Sequence, residues 1–164
     1  MDLKKAPFHL NNADIAWVDR TLESMTLEEK IGQLFCPIGY STAPEYLNML
    51  LSFRIGGLFF RDGAGEEMRN TFEYAQNHSV IPLLIPSNLE AGGDGASTDG
   101  TPYSKQMGCA AAGDKKYAYR LGEIASSEGA ALGINWAFAP VVDIDLNYHN
   151  PITNIRTYGS DPQT

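Results

Sequence analysis

Ile81-Pro82-Leu83-Leu84-Ile85 is an apolar run without a break, and Pro86-Ser87-Asn88-Leu89-Glu90 follows it as a polar, irregular tail. A run this short that is apolar at every position suits a strand covered on both faces. The same pattern recurs on either side. Upstream lies Ile55-Gly56-Gly57-Leu58-Phe59-Phe60, ending in Arg61-Asp62-Gly63. Downstream lies Trp136-Ala137-Phe138-Ala139-Pro140-Val141-Val142, ending in Asp143-Ile144-Asp145. An earlier strand is expected from Leu34, ending near Gly39-Tyr40-Ser41.

Amphipathic helices alternate with these runs. Asn11-Asn12 are cap candidates for a helix over 13–25, and Thr26 with Glu29 forms a capping box that starts a second, short helix. Helices are expected over 44–53 and 66–77, the latter with Met68, Phe72 and Ala75 on one face. After a long Gly-rich loop, Asp114 can cap a helix over 115–132, and Gly133 is placed to end it. Alternating strands and helices of this kind predict an α/β fold with a parallel sheet covered on both sides. Ligands of such sheets and barrels bind at the C-terminal strand ends, so the polar tails are the places to look for a site.

Composition narrows the function classes. The 164 residues suit one domain, residues 1–164, and 43% hydrophobic residues suit a globular core. Asp and Glu outnumber Lys and Arg by 20 to 12, and no basic cluster interrupts that background, which argues against nucleic acid and anionic membranes as partners. No apolar run approaches the ~18 residues of a spanning helix, and Met1-Asp2-Leu3-Lys4-Lys5 does not open a signal peptide, so a cytoplasmic protein is expected. Cys36 and Cys109 both sit in apolar runs and read as buried free thiols. No metal and no cofactor are expected, since His9, His78 and His149 lack ligand spacing.

The glycines of Ala91-Gly92-Gly93-Asp94-Gly95-Ala96-Ser97-Thr98-Asp99-Gly100 do not make a phosphate loop, because Thr98 stands where the pattern needs glycine. They permit tight turns beside a pocket. Asp143 and Asp145, at i and i+2 on an extended strand, lie about 6.6 Å apart on one face, near the separation of a glycosidase carboxylate pair. Because Asx turns are common at strand ends, the favoured reading is that one caps the following turn and the other faces solvent. Arg156 offers a planar fork of donors for a carboxylate or adjacent sugar hydroxyls, or is a surface residue.

The segments MTLEEKIGQLF, IGGLFF, IPLLIPSNLEAGG and LGINWAFAPVVDIDLNYHNPITNIRTYGSDP, in this order, resemble the N-terminal barrel of glycoside hydrolase family 3, which includes β-glucosidases and β-N-acetylhexosaminidases. The resemblance runs from about Met25 to the end of the chain. It implies TIM-barrel type parallel β/α repeats that bind a terminal sugar, and hydrolysis of β-D-glucosyl or β-N-acetylglucosaminyl residues through a covalent glycosyl-enzyme. It also implies four substrate-binding residues: Asn88, Glu90, Asp143 and Arg156. Asn88 stands where the family has an acidic residue, so it can exchange hydrogen bonds but supplies no charge. Glu90-Ala91-Gly92 matches only part of the family's acidic-Gly-Gly-Arg run, with Asp94 near the place of the arginine.

The family's Lys-His motif, its His-Asp acid/base loop and its nucleophilic Asp are expected beyond Thr164, so no catalytic residue is assigned within the chain. Since a full barrel takes roughly 250 residues, the resemblance implies an incomplete barrel, about half. Its open strand edges imply homo-oligomerisation to cover them. The alternative function is a catalytically inactive half-barrel that binds carbohydrate or serves as an assembly module.

Overall fold

The computed structural model describes residues 2–61 and 63–163, so Asp62 of the second polar tail lies outside the described residues. Six α-helices are described: α1 (Asn12–Ser24), α2 (Leu27–Gly32), α3 (Pro44–Ser52), α4 (Gly65–His78), α5 (Gln106–Ala111) and α6 (Lys116–Ala131). Two short strands, β1 (Pro86–Ser87) and β2 (Trp136–Ala137), and 3₁₀ turns at Gly93–Gly95 and Asn154–Arg156 complete the order.

The helix starts follow from their caps. Asn11 accepts from the backbone N–H of Ala13 and Asp14, and Asp14 returns the bond, so α1 opens with a capping box. Thr26 and Glu29 form the second box, at α2. Pro44 stands at the first position of α3, where its missing N–H costs nothing. Asp114 accepts from Lys116 N–H at 2.9 Å as α6 begins. Gly133, at φ +89, follows the end of α6.

The extended segments run parallel in chain order. Ile38 bridges Phe59, Gly57 bridges Leu84, and Pro86–Ser87 pairs with Trp136–Ala137. Two helix-side amides extend this pairing. Gln76 of α4 exchanges two hydrogen bonds of 2.9 Å with the backbone of Leu83. Asn135 accepts from Ile85 N–H at 2.8 Å and donates to Leu83 O at 3.0 Å. Both residues served are buried, so the amides pair backbone groups that water does not reach.

Several expectations are corrected. Among the described residues regular strand is confined to β1 and β2, and the other expected runs are reduced to single bridges. The strand expected from Leu34 is a turn: Leu34 and Phe35 N–H donate back to Ile31 and Gly32 O, closing α2. The sheet is not covered on both sides. Leu83 and Ile85 are buried under the helices, whereas Leu84 between them, Trp136 and Phe138 are about half exposed. The described helices supply apolar partners to one face only. Cys109 is buried as expected, but Cys36 is exposed. Helix α5 was expected to be loop.

The core lies between the extended segments and α3, α4 and α6. It joins Leu47 and Leu51, Leu58 and Phe60, Met68 and Phe72, Leu83 and Ile85, with Leu89 and Ala125. Phe60 meets Phe72 edge-on at 6.0 Å between ring centres. No helix among the described residues is long and apolar enough to cross a membrane.

Candidate functional site

The polar tail after β1 turns sharply. Leu89 takes φ +27, in the region that side chains other than glycine rarely enter, and is buried in the core. Its neighbours Asn88 and Glu90 both line an open pocket of about 570 Å³, together with Arg61, Ala91, Asp94, Gly95, Lys105 and Arg156.

Glu90 and Arg156 lock together in this pocket. Arg156 Nε donates to Glu90 Oε2 at 2.8 Å and Nη2 to Oε1 at 2.7 Å, a two-bond fork. The remaining nitrogen, Nη1, donates to Ile152 O at 3.2 Å. Lys105 Nζ lies 4.0 Å from Glu90 Oε2. The Glu90 side chain keeps 11% of its surface exposed and that of Arg156 37%. Hydrogen bonding to Arg156 holds the Glu90 carboxyl below the usual carboxylate range; burial opposes this, and the charges of Arg156 and Lys105 add to it. The Arg156 guanidinium is raised in turn, first by the Glu90 hydrogen bonds, against desolvation, with the charges of Glu90 and Asp143 adding.

The Gly-rich segment forms one wall. Gly92 adopts φ +121 where Gly93 N–H and Tyr103 N–H close onto Thr101 O and Ala91 O. Ser87 Oγ donates to Gly95 O at 2.5 Å. Asp99 accepts from Gly65 N–H at 2.8 Å and so ties the loop to the first turn of α4. That bond, with a second from Ser97, lowers the Asp99 carboxyl.

Of the four residues singled out in the sequence, Asn88, Glu90 and Arg156 meet in this pocket. Asp143 is exposed and outside the pocket lining, near enough for its charge to act on Arg156. The extended strand that would align Asp143 with Asp145 does not form, because β2 ends at Ala137. Asp145 is half-buried, its N–H donating to Gly159 O at 2.8 Å, and its Oδ1 has no hydrogen-bond partner among the described residues. Two lining cations are not among those four, although Arg61 lies in one of the polar tails. Arg61 follows the Phe59 bridge at a C-terminal segment end, its guanidinium carbon 5.9 Å from the Phe59 ring centre, so its position alone was a usable signal. Lys105 immediately precedes α5, 18 positions after Ser87, and no local pattern announces it.

Chemically, this is a polar, open cleft with fixed donors and acceptors. Arg156 keeps its fork oriented by Glu90 and has an exposed edge, while Asn88 can both donate and accept. Such a set recognises vicinal hydroxyls or an oxyanion.

Residues 26–164 match the glycosyl hydrolase family 3 N terminal domain. A β-N-acetylglucosaminidase/β-glucosidase of Cellulomonas fimi is 44% identical across the whole chain, which spans 29% of that protein. β-Hexosaminidase A of Pseudoalteromonas piscicida is 29% identical over 77% of the chain, or 24% of its own length. Among solved structures, the β-glucoside phosphorylase BglX bound to 2FGlc superposes with a TM-score of 0.92 at 43% identity, over 98% of this chain and 30% of that one. A family 3 β-N-acetylglucosaminidase from Paenibacillus sp. gives 0.70 at 27% identity, over 85% of this chain and 28% of that one.

Proposed function

The chain belongs to glycosyl hydrolase family 3, matching its N-terminal domain, and on that premise we propose that it supplies one wall of a sugar pocket for cleaving terminal β-D-glucosyl or β-N-acetylglucosaminyl residues with retention of configuration. The observation that carries the proposal is the Glu90–Arg156 fork, held beside Asn88 in a polar pocket at the C-terminal ends of parallel segments. Glu90 occupies both of its oxygens with Arg156 and thereby fixes the guanidinium plane. The exposed edge of Arg156 then binds ring hydroxyls, Asn88 bonds a neighbouring hydroxyl, and the Asp143 charge sustains the arginine from outside. No residue of the chain is assigned as nucleophile or acid/base.

The fold reading extends to one part of a (β/α)₈ barrel. The parallel, sequential order of the segments supports it, as does the bare apolar face at Leu84, Trp136 and Phe138, which a barrel turns inward. That same bare face supports self-association of the isolated chain. The cysteines, neither of them in a disulfide, accord with a reducing, cytoplasmic setting.

A second reading concerns the acceptor. The BglX relative is named a phosphorylase, and Arg61, Lys105 and Arg156 outnumber Glu90 and Asp94 around the pocket. Phosphate in place of water would release the sugar as its 1-phosphate, the phosphate oxygen forming the bond that the aglycone oxygen loses. The test is titration of the chain, beside Arg156→Ala, with methyl β-D-glucoside and separately with inorganic phosphate. Glucoside binding lost in Arg156→Ala supports the sugar site, and phosphate binding lost in the same variant supports the second reading. Equal binding by both proteins would falsify the assignment of Arg156.

A further inference from the structure

Leu89 is held from both sides by glycines of other segments. A methyl group on Gly129 of α6 would come within 2.9 Å of Leu89 Cδ1. A methyl on Gly95 would stand 2.5 Å from Leu89 N and 2.9 Å from its Cα. The side chain is 5% exposed, although φ is +27, a conformation a leucine avoids unless its surroundings impose it. Glycine inside a helix weakens it, so Gly129 needs a reason to be there. Gly122 of the same helix has open space around it and offers none.

We propose that Leu89, seated in the notch left by Gly129 and backed by Gly95, is the positioning residue of the sugar site. Anchoring Leu89 in the core drives Asn88 and Glu90, on either side of it, out into the pocket, and Glu90 then sets Arg156. The strained turn is the link between the packing of α6 and the orientation of a guanidinium at Arg156, 25 positions after α6 ends. Neither Leu89 nor Gly129 touches the ligand in this account, which rests on the sugar-site reading given above.

The experiment uses the full chain and reads the Arg156 Nε–H resonance, a signature of the fork with Glu90, alongside titration with methyl β-D-glucoside. Gly129→Ala is expected to lose or shift that resonance and to weaken binding about tenfold or more, while Gly122→Ala leaves both unchanged. Adding Leu89→Gly to Gly129→Ala removes the clashing side chain and leaves a residue at ease with positive φ. This pair is expected not to restore the resonance, because the anchoring side chain is gone although the clash is relieved and glycine accepts the positive φ. Should Gly129→Ala not fold, Leu89→Gly alone is expected to shift the resonance and weaken binding, while Leu89→Met, which still fills the notch, keeps both. An unchanged resonance in Gly129→Ala or in Leu89→Gly, or full recovery in the pair, overturns the proposal. If the resonance behaves as expected but unmodified protein binds no sugar, the positioning stands and the sugar-site reading fails.

Discussion

Glu90 and Arg156 stand 66 positions apart in the chain and meet through two parallel hydrogen bonds, of 2.8 and 2.7 Å. The fork joins the tail of β1 to the 3₁₀ turn at Asn154–Arg156. It therefore joins two walls of the pocket and orients its main donor at once.

Replacing Arg156 by lysine keeps the charge and loses the fork, since an ammonium cannot reproduce two coplanar bonds. Methyl β-D-glucoside affinity is expected to fall about tenfold or more, and stability by about 1–2 kcal/mol, discounted for the partly exposed guanidinium. Calorimetric titration and urea unfolding measure the two effects separately.

The Glu90 pair also sets a pH dependence. Its folded carboxyl titrates below the unfolded value, so the unfolded state binds the proton more readily. The stabilisation is present above the unfolded glutamate range of about 4.3 and is lost as pH falls through the lower, folded value. Urea midpoints measured from pH 7 to 3 should fall less steeply in Glu90→Gln than in the unmodified chain; parallel curves would refute the linkage.

Gln76 and Asn135 stand in for strand neighbours along Leu83 and Ile85. Gln76→Leu leaves the N–H of buried Leu83 unpaired, and Asn135→Ala does the same to Ile85. Each is expected to cost about 1–3 kcal/mol. Faster hydrogen exchange should appear at Leu83 N–H in the first variant and at Ile85 N–H in the second.

Two glycines near α6 should respond oppositely to alanine. At Gly133, φ is +89 and the nearest side-chain atom to an added methyl is 3.8 Å away, so the cost is conformational, about 1 kcal/mol. At Gly122, a helical position in open space, alanine is expected to stabilise by about 0.5–1 kcal/mol. Melting temperatures moving in the same direction would contradict this account.

Local signals in the sequence were enough for the parts of the fold that depend on neighbours along the chain. The boxes at Asn11 and Thr26, the proline opening α3, the face of Met68, Phe72 and Ala75, and Gly133 after α6 all act within a few residues, so each could be read in order. The apolar runs announced an α/β chain for the same reason. The tertiary structure alone decided which face of those runs is covered, because an apolar residue looks the same in sequence whether a helix packs on it or not. It also decided that Asp143 lies outside the pocket lining, that Lys105 joins the pocket, and that Leu89 accepts a strained turn. These outcomes depend on atoms brought together from distant positions. The four site residues could be nominated from the sequence by resemblance, but the fork that makes Arg156 a fixed donor exists only once β1 and the 3₁₀ turn are folded against each other.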